Sequence, residues 1–279
     1  VADYVLLIPG VGAGSKELFL GYIPLGEYFS EIQKNLDSLQ IENYVVSADS
    51  QGNSSIAERV LQLKKAILLH SGKTFRKKAL IIGHSMGGVV ARVAQQDPEI
   101  HALTAGVLTL NSPNRGAEFS DFALGGSNTS KIGEILAKVF GFDITEKKYL
   151  EEISTRAMAE YNKNSDLSVE DSVFSLVSYQ DRKDIFKSDP FLGLAHEVLS
   201  HLIVNEDAPW YEHSDGVVAA YSQAWGYCLG VANANHGSII GKAVLFGEKN
   251  RLQIIIQEIF ERLSFRGLRV ERRQQNPNF

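Results

Sequence analysis

Ser85 is the residue in this chain whose setting best suits covalent chemistry. A serine hydroxyl is a poor nucleophile at neutral pH. It needs an imidazole base within hydrogen-bond reach, and that imidazole needs a carboxylate to hold its tautomer and stabilise the imidazolium. Ser85 lies in Gly83-His84-Ser85-Met86-Gly87, a G-x-S-x-G pattern whose weight comes from its flanks. Before it, Ala79-Leu80-Ile81-Ile82 reads as a buried strand; after it, Val89, Val90, Val93 and Ala94 recur at helical spacing. A strand that turns at once into a helix forces a strained backbone at the serine. The flanking glycines leave room for the turn, and the positive end of the helix lies beneath the hydroxyl.

His236 is the last of seven histidines and stands in the turn Asn235-His236-Gly237 before Ile239-Ile240, which makes it the expected base. His84 adjoins Ser85 in sequence, so its side chain points elsewhere. Asp215, in a turn before Gly216-Val217-Val218, is the favoured acid, and Asp181, after the strand ending at Ser178, is its rival. Either aspartate also suits plain turn capping. The backbone N–H groups of Met86, just after the nucleophile, and of Val11, in the turn Pro9-Gly10-Val11-Gly12-Ala13-Gly14, are the expected donors to a developing oxyanion. That glycine turn invites a dinucleotide reading, but a G-x-G-x-x-G count from Gly10 ends on Ser15. Gly72-Lys73-Thr74 mimics the end of a phosphate-binding loop, yet Ile67 stands where the first glycine is needed, so it reads as a helix stop.

These groups need a scaffold, and the pattern supplies one. Apolar runs at 4–8, 44–48, 79–82, 106–111 and 173–178 read as strands. Between them lie helical spacings near 28–39, 89–96 and 250–263. Another helix starts at a Ser55/Glu58 capping box and carries Ile56, Val60, Leu63 and Ile67 on one face. The alternation predicts one α/β domain over 1–279. The aromatic stretch 18–29 is expected to pack beneath the first helix, with a share lining an acyl pocket. Residues 117–170 turn polar and loop-rich, with Ile132, Ile135, Leu136, Val139 and Phe140 in one stripe; this is either a lid over the site or an ordinary helical excursion. The basic stretch 266–279 is expected to be a mobile end.

A net charge of −5 speaks against nucleic acid as a partner. Cys228 is the sole cysteine, which excludes an internal disulfide and any multi-cysteine metal site. His196 and His201, five apart, do not share the face a zinc helix uses. No apolar run reaches the roughly 18–20 residues of a membrane span. A start at Val1 in place of Met is what removal of a signal peptide or a tag leaves, so a secreted or periplasmic setting is expected, though the composition suits the cytoplasm equally. Nothing in the sequence specifies an oligomeric state.

Five segments in this order, Pro9-Gly10-Val11-Gly12, Gly83-His84-Ser85-Met86-Gly87-Gly88, Ser112-Pro113-Asn114-Arg115-Gly116, Ser214-Asp215-Gly216-Val217-Val218 and Asn235-His236-Gly237, resemble the bacterial triacylglycerol lipases of the α/β-hydrolase superfamily. The resemblance is strongest over 4–122 and 210–240. It implies a mostly parallel central sheet with helices on both faces and a lid-like helical insertion between Asn111 and Val173. It implies Ser85 as nucleophile, Asp215 as acid, His236 as base, and oxyanion N–H groups from Val11 and Met86. The substrate would be a lipid or small acyl ester, met at a lipid–water interface. The chain departs from that family at Pro9, where the pattern has histidine, and at Ser238, where a calcium-holding aspartate follows the catalytic histidine by two residues. The family's disulfide is impossible with Cys228 alone. No cofactor or metal is therefore expected. Carboxylesterase, phospholipase and acyltransferase chemistry use the same triad. The non-enzymatic alternative is a nucleotide- or lipid-binding α/β protein.

Overall fold

In the computed structural model, the described residues are 1–10, 17–20, 23–46, 54–72, 76–125, 148–202, 213–242 and 249–273. The unbroken apolar runs become strands covered on both faces, as parallel pairing requires. Strands β1 (Tyr4–Ile8), β4 (Asn43–Val45), β5 (Ala79–His84), β6 (Thr104–Leu110), β7 (Val173–Tyr179) and β8 (Tyr227–Asn233) form a six-stranded sheet in the order β4-β1-β5-β6-β7-β8. Every neighbouring pair is parallel. Ile8 pairs with Gly83 and His84 with Leu110, so β1, β5 and β6 end level and their loops leave from one edge.

Alternate residues of each strand feed opposite cores. Val5 and Leu7 join Leu80, Ile82 and Leu108 beneath α1 (Ser30–Ser38) and the C-terminal helix Lys249–Phe265, which bury Ile32, Leu36, Leu252, Ile256, Ile259 and Leu263 there. Tyr4, Leu6 and Ile8 join Ile81 and Val107 on the other face, beneath α2 (Ile56–His70) and α3 (Met86–Ala94). The capping box at the start of α2 forms as expected, Ser55 and Glu58 satisfying one another's backbone N–H groups.

The stretch 18–29 holds something the pattern did not reveal. Strands β2 (Glu17–Leu20) and β3 (Ile23–Glu27) pair antiparallel, apart from the main sheet. Pro24 lies in β3, where the missing N–H is tolerated because a two-stranded ribbon is all edge.

Within 117–170, residues 118–124 and 148–170 supply three short helices, α5 (Glu118–Leu124), α6 (Lys148–Glu152) and α7 (Thr155–Asn164); α4 (Pro98–Ala102) precedes them. The Asp121 carboxylate accepts from the Thr155 N–H at 3.0 Å and the Thr155 hydroxyl at 2.6 Å, tying α5 to α7. The stripe Ile132, Ile135, Leu136, Val139 and Phe140 lies outside the described residues. Two further helices, α8 (Arg182–Ser188) and α9 (Pro190–Leu202), precede the short α10 (Ala220–Gln223); the C-terminal helix is α11. Residues 266–273 depart from the mobile end expected there. Leu268 is buried, the Glu271 N–H donates to Ala2 O, and the Arg273 N–H donates to Gln40 O. Among the described residues no helix is long and apolar enough to cross a membrane.

A buried charge fixes α3. Arg92, fully buried, donates to Asn114 O at 3.1 Å and Asn162 Oδ1 at 2.7 Å, pairs with Glu170 at 3.3 Å, and lies 3.9 Å over the Trp225 ring. Arg92→Ala leaves the Glu170 carboxylate buried without its cation, an expected loss of about 3–5 kcal/mol. Urea unfolding of the two proteins measures it.

Candidate active site

At the end of β5 the chain meets α3 with no intervening loop. Ser85 takes up φ 56° and ψ −132°, a left-handed conformation that costs a non-glycine residue about 1–3 kcal/mol. The strain expected from the motif is present. A Cβ on Gly83 would collide with the backbone of Gly87, and one on Gly87 with the Ile8 carbonyl, so this corner closes only with glycine at both places. The Ser85 N–H donates to Leu110 O at 2.9 Å, joining the corner to the end of β6. Met86 opens the first turn of α3, where backbone N–H groups have no partner within the helix.

The expected base and acid meet. His236 Nδ1 and Asp215 Oδ2 are 2.8 Å apart, and the His236 N–H also donates to Asp215 O at 2.9 Å. The Asp215 carboxylate is fully buried, and its Oδ1 accepts the Val217 and Val218 N–H groups at 2.8 Å each. Gly216, at φ 97°, makes that tight turn possible. Asp181 is exposed at the start of α8, and among the described residues no hydrogen bond joins it to His236. Ser85 adjoins the pair through its neighbour: the His84 and His236 rings lie 4.7 Å apart, and His84 Nε2 is 2.9 Å from His236 O. Among the described residues no hydrogen bond joins Ser85 to His236. Val11 lies outside the described residues, and so does most of its glycine turn.

Tyr28 and Arg59 were not singled out by the sequence pattern, and His84, expected only to point away from Ser85, turns its ring toward His236. The Tyr28 hydroxyl, buried, lies 2.6 Å from His84 Nδ1 and accepts the Gly10 N–H at 3.0 Å. Burial drives the Tyr28 hydroxyl pKa up. His84 is held well below the ordinary histidine range, by burial first and then by His236 beside it. Arg59 reaches from the buried face of α2 to the carbonyls of Pro9 and Gly10. An arginine at helical spacing among Ile56, Val60 and Leu63 was the one available signal for it.

Ser238, which stands where the resembling family has an aspartate, is engaged within its own turn. Ser238 Oγ accepts the Asn235 N–H at 2.9 Å, and Asn235 Oδ1 accepts the Ser238 N–H at 2.8 Å, so the turn closes on itself. Among the described residues no group of three His, Cys, Asp or Glu side chains is placed to hold a metal ion.

The parallel sheet with a serine corner at its carboxyl edge is the architecture of the α/β-hydrolase fold. The likeness to bacterial triacylglycerol lipases extends to known proteins. Residues 45–175 match the PGAP1-like alpha/beta domain. A triacylglycerol lipase of Pseudarthrobacter phenanthrenivorans is 28% identical over 179 residues, 57% of this chain and 53% of that protein. The chain spans about half the length of the curated relatives it matches. Bacillus licheniformis lipase BlEst2 in mature form superposes with a TM-score of 0.66 at 15% identity, covering 91% of this chain and 90% of that one. The metagenomic carboxyl esterase MGS0156 gives 0.68 at 16% identity, covering 96% and 77%.

Gly10 is the point where the first turn touches the corner. A Cβ there would lie 2.7 Å from the Tyr28 hydroxyl and 2.9 Å from Ser85 Cβ. Gly10→Ala is expected to force Ser85 or Tyr28 to shift and to cost about 1–3 kcal/mol of stability, the scale of overpacking a well-packed site. Urea unfolding of the two proteins measures it.

Proposed function

We propose that this protein is a serine ester hydrolase that cleaves lipid or other acyl esters through an acyl-enzyme, with Ser85, His236 and Asp215 as its triad. The observation that carries this reading is the bonded Asp215–His236 pair beside a serine held on a strained strand-to-helix corner. Its likeness to lipases and esterases supports the same chemistry.

Ser85 Oγ attacks the acyl carbonyl as its proton passes to His236 Nε2. Asp215 accepts from the Nδ1–H, which fixes the tautomer that leaves Nε2 free and steadies the imidazolium. The oxyanion draws on the N–H groups of Met86 and Val11. Collapse expels the alcohol, which takes the proton from His236, and water repeats the sequence to release the acid and restore Ser85.

Ser85→Ala is expected to abolish ester turnover and labelling by a fluorophosphonate while leaving the melting temperature within a few degrees; retained turnover overturns the reading. Asp215→Asn should leave a labelled serine but lower kcat by about 10⁴-fold, because the imidazole loses the partner that sets its tautomer. Acyl-chain dependence on p-nitrophenyl esters separates the two substrate classes. A lipase shows its optimum at long chains with a gain at an oil–water interface, whereas a carboxylesterase peaks at short chains without one.

A further inference from the structure

We infer that Tyr28 and His84 are positioning residues, which join the first oxyanion turn to the loop of the base through a single directed chain of hydrogen bonds passing beneath the nucleophile. The chain runs from the Gly10 N–H to the Tyr28 hydroxyl (3.0 Å), from there to His84 Nδ1 (2.6 Å), and from His84 Nε2 to the His236 carbonyl (2.9 Å). It rests on the triad reading above and adds two residues which that reading does not use.

The partners fix the direction of every bond. The His236 carbonyl only accepts, so His84 Nε2 carries a proton. In a neutral imidazole Nδ1 is then an acceptor, so Tyr28 donates its hydroxyl proton there. The Tyr28 oxygen keeps a lone pair for the Gly10 N–H. No member has a choice of role, and reversing one bond would strand a buried donor or acceptor at a cost of about 1–3 kcal/mol. The electrostatics agree with this assignment. Burial opposes ionisation of the Tyr28 hydroxyl, and burial with the adjacent His236 opposes a proton on His84.

The chain has a mechanical consequence. His84 is the residue immediately before Ser85, so the same peptide strand carries the nucleophile and the link to His236. The base loop is thereby held at its backbone by His84 and at its side chain by Asp215. A shift of the first turn is passed to His236 through Tyr28 and His84 and misplaces the base relative to Ser85, while substrate contacts stay unchanged. The cost should therefore fall on kcat and spare KM.

Two measurements test this. Long-range ¹H–¹⁵N spectra of the intact protein, with the His84 signal identified by its loss in His84→Gln, should show the Nε2–H tautomer with no titration between about pH 5 and pH 9. An Nδ1–H tautomer, or a His84 that becomes an imidazolium in that range, overturns the inference. Kinetics on a soluble short-chain ester, normalised to active sites by fluorophosphonate titration, supply the second. Tyr28→Phe and His84→Ala should each lower kcat about tenfold or more with KM changed less than about twofold. His84→Gln places an amide N–H where Nε2 was and should recover most of the loss seen in His84→Ala. Unchanged kcat in Tyr28→Phe and His84→Ala, or a His84→Gln no better than alanine, overturns the chain while an inactive Ser85→Ala leaves the triad reading standing. A Ser85→Ala protein with full turnover removes the triad reading instead, whatever the tautomer of His84.

Discussion

The left-handed backbone at Ser85 is the constraint around which the molecule is arranged. A strain of about 1–3 kcal/mol persists only where the surroundings leave no alternative. Here β5 is locked between β1 and β6, and α3 is clamped at its far side by Arg92. Neither element can rotate to relax the residue between them. Gly83 and Gly87 allow the two to meet at a distance that any side chain would forbid. The strain thus places one hydroxyl in one position, and the rest of the site is built to reach it.

Reaching it requires backbone to run past the end of the sheet, where the N–H and C=O groups lose their strand partners and must find others. Gln223 supplies them. Its side chain accepts the Ser178 N–H at 2.7 Å and donates to Ser178 O and Val218 O at 3.0 Å each. One amide therefore joins the end of β7 to the turn that bears Asp215. The His236 N–H completes the connection by donating to Asp215 O. Asp215 and His236 are held at backbone and side chain alike, which limits the imidazole to small excursions.

How much of this the sequence carried follows from what each feature depends on. The central strands were legible because a strand covered on both faces has no polar alternation to confuse, and 79–82 and 173–178 read as such. The turns bearing Ser85, Asp215 and His236 were legible because they carry glycine or asparagine, and the structure brings Asp215 and His236 into contact. The β2–β3 pair was not, since continuous apolarity interrupted by Gly21 and Pro24 suits several packings equally well. The 266–273 segment looked free because its residues are charged, yet it docks through backbone groups, which leave no trace in side-chain polarity. Tyr28 was read as core for a related reason. Its ring is buried as the pattern suggests, but its hydroxyl has a partner 56 residues away, and nothing local announces it.

The same accounting explains why proline is acceptable at position 9, where the resembling family has histidine. In a trans peptide the C=O and the following N–H point in opposite directions. The Pro9 carbonyl faces Arg59 from α2, and the Gly10 N–H faces the Tyr28 hydroxyl, just ahead of α1. The Pro9–Gly10 peptide is therefore gripped from both sides, by a group on α2 and by one in the turn before α1, and each polar atom in it is satisfied. Support of that kind asks nothing of the side chain at position 9 and does not need an N–H from it. Proline adds a fixed φ at no loss. The orientation of the Pro9–Gly10 peptide is thus set by Arg59 and Tyr28, and Tyr28 links it through His84 to the His236 carbonyl.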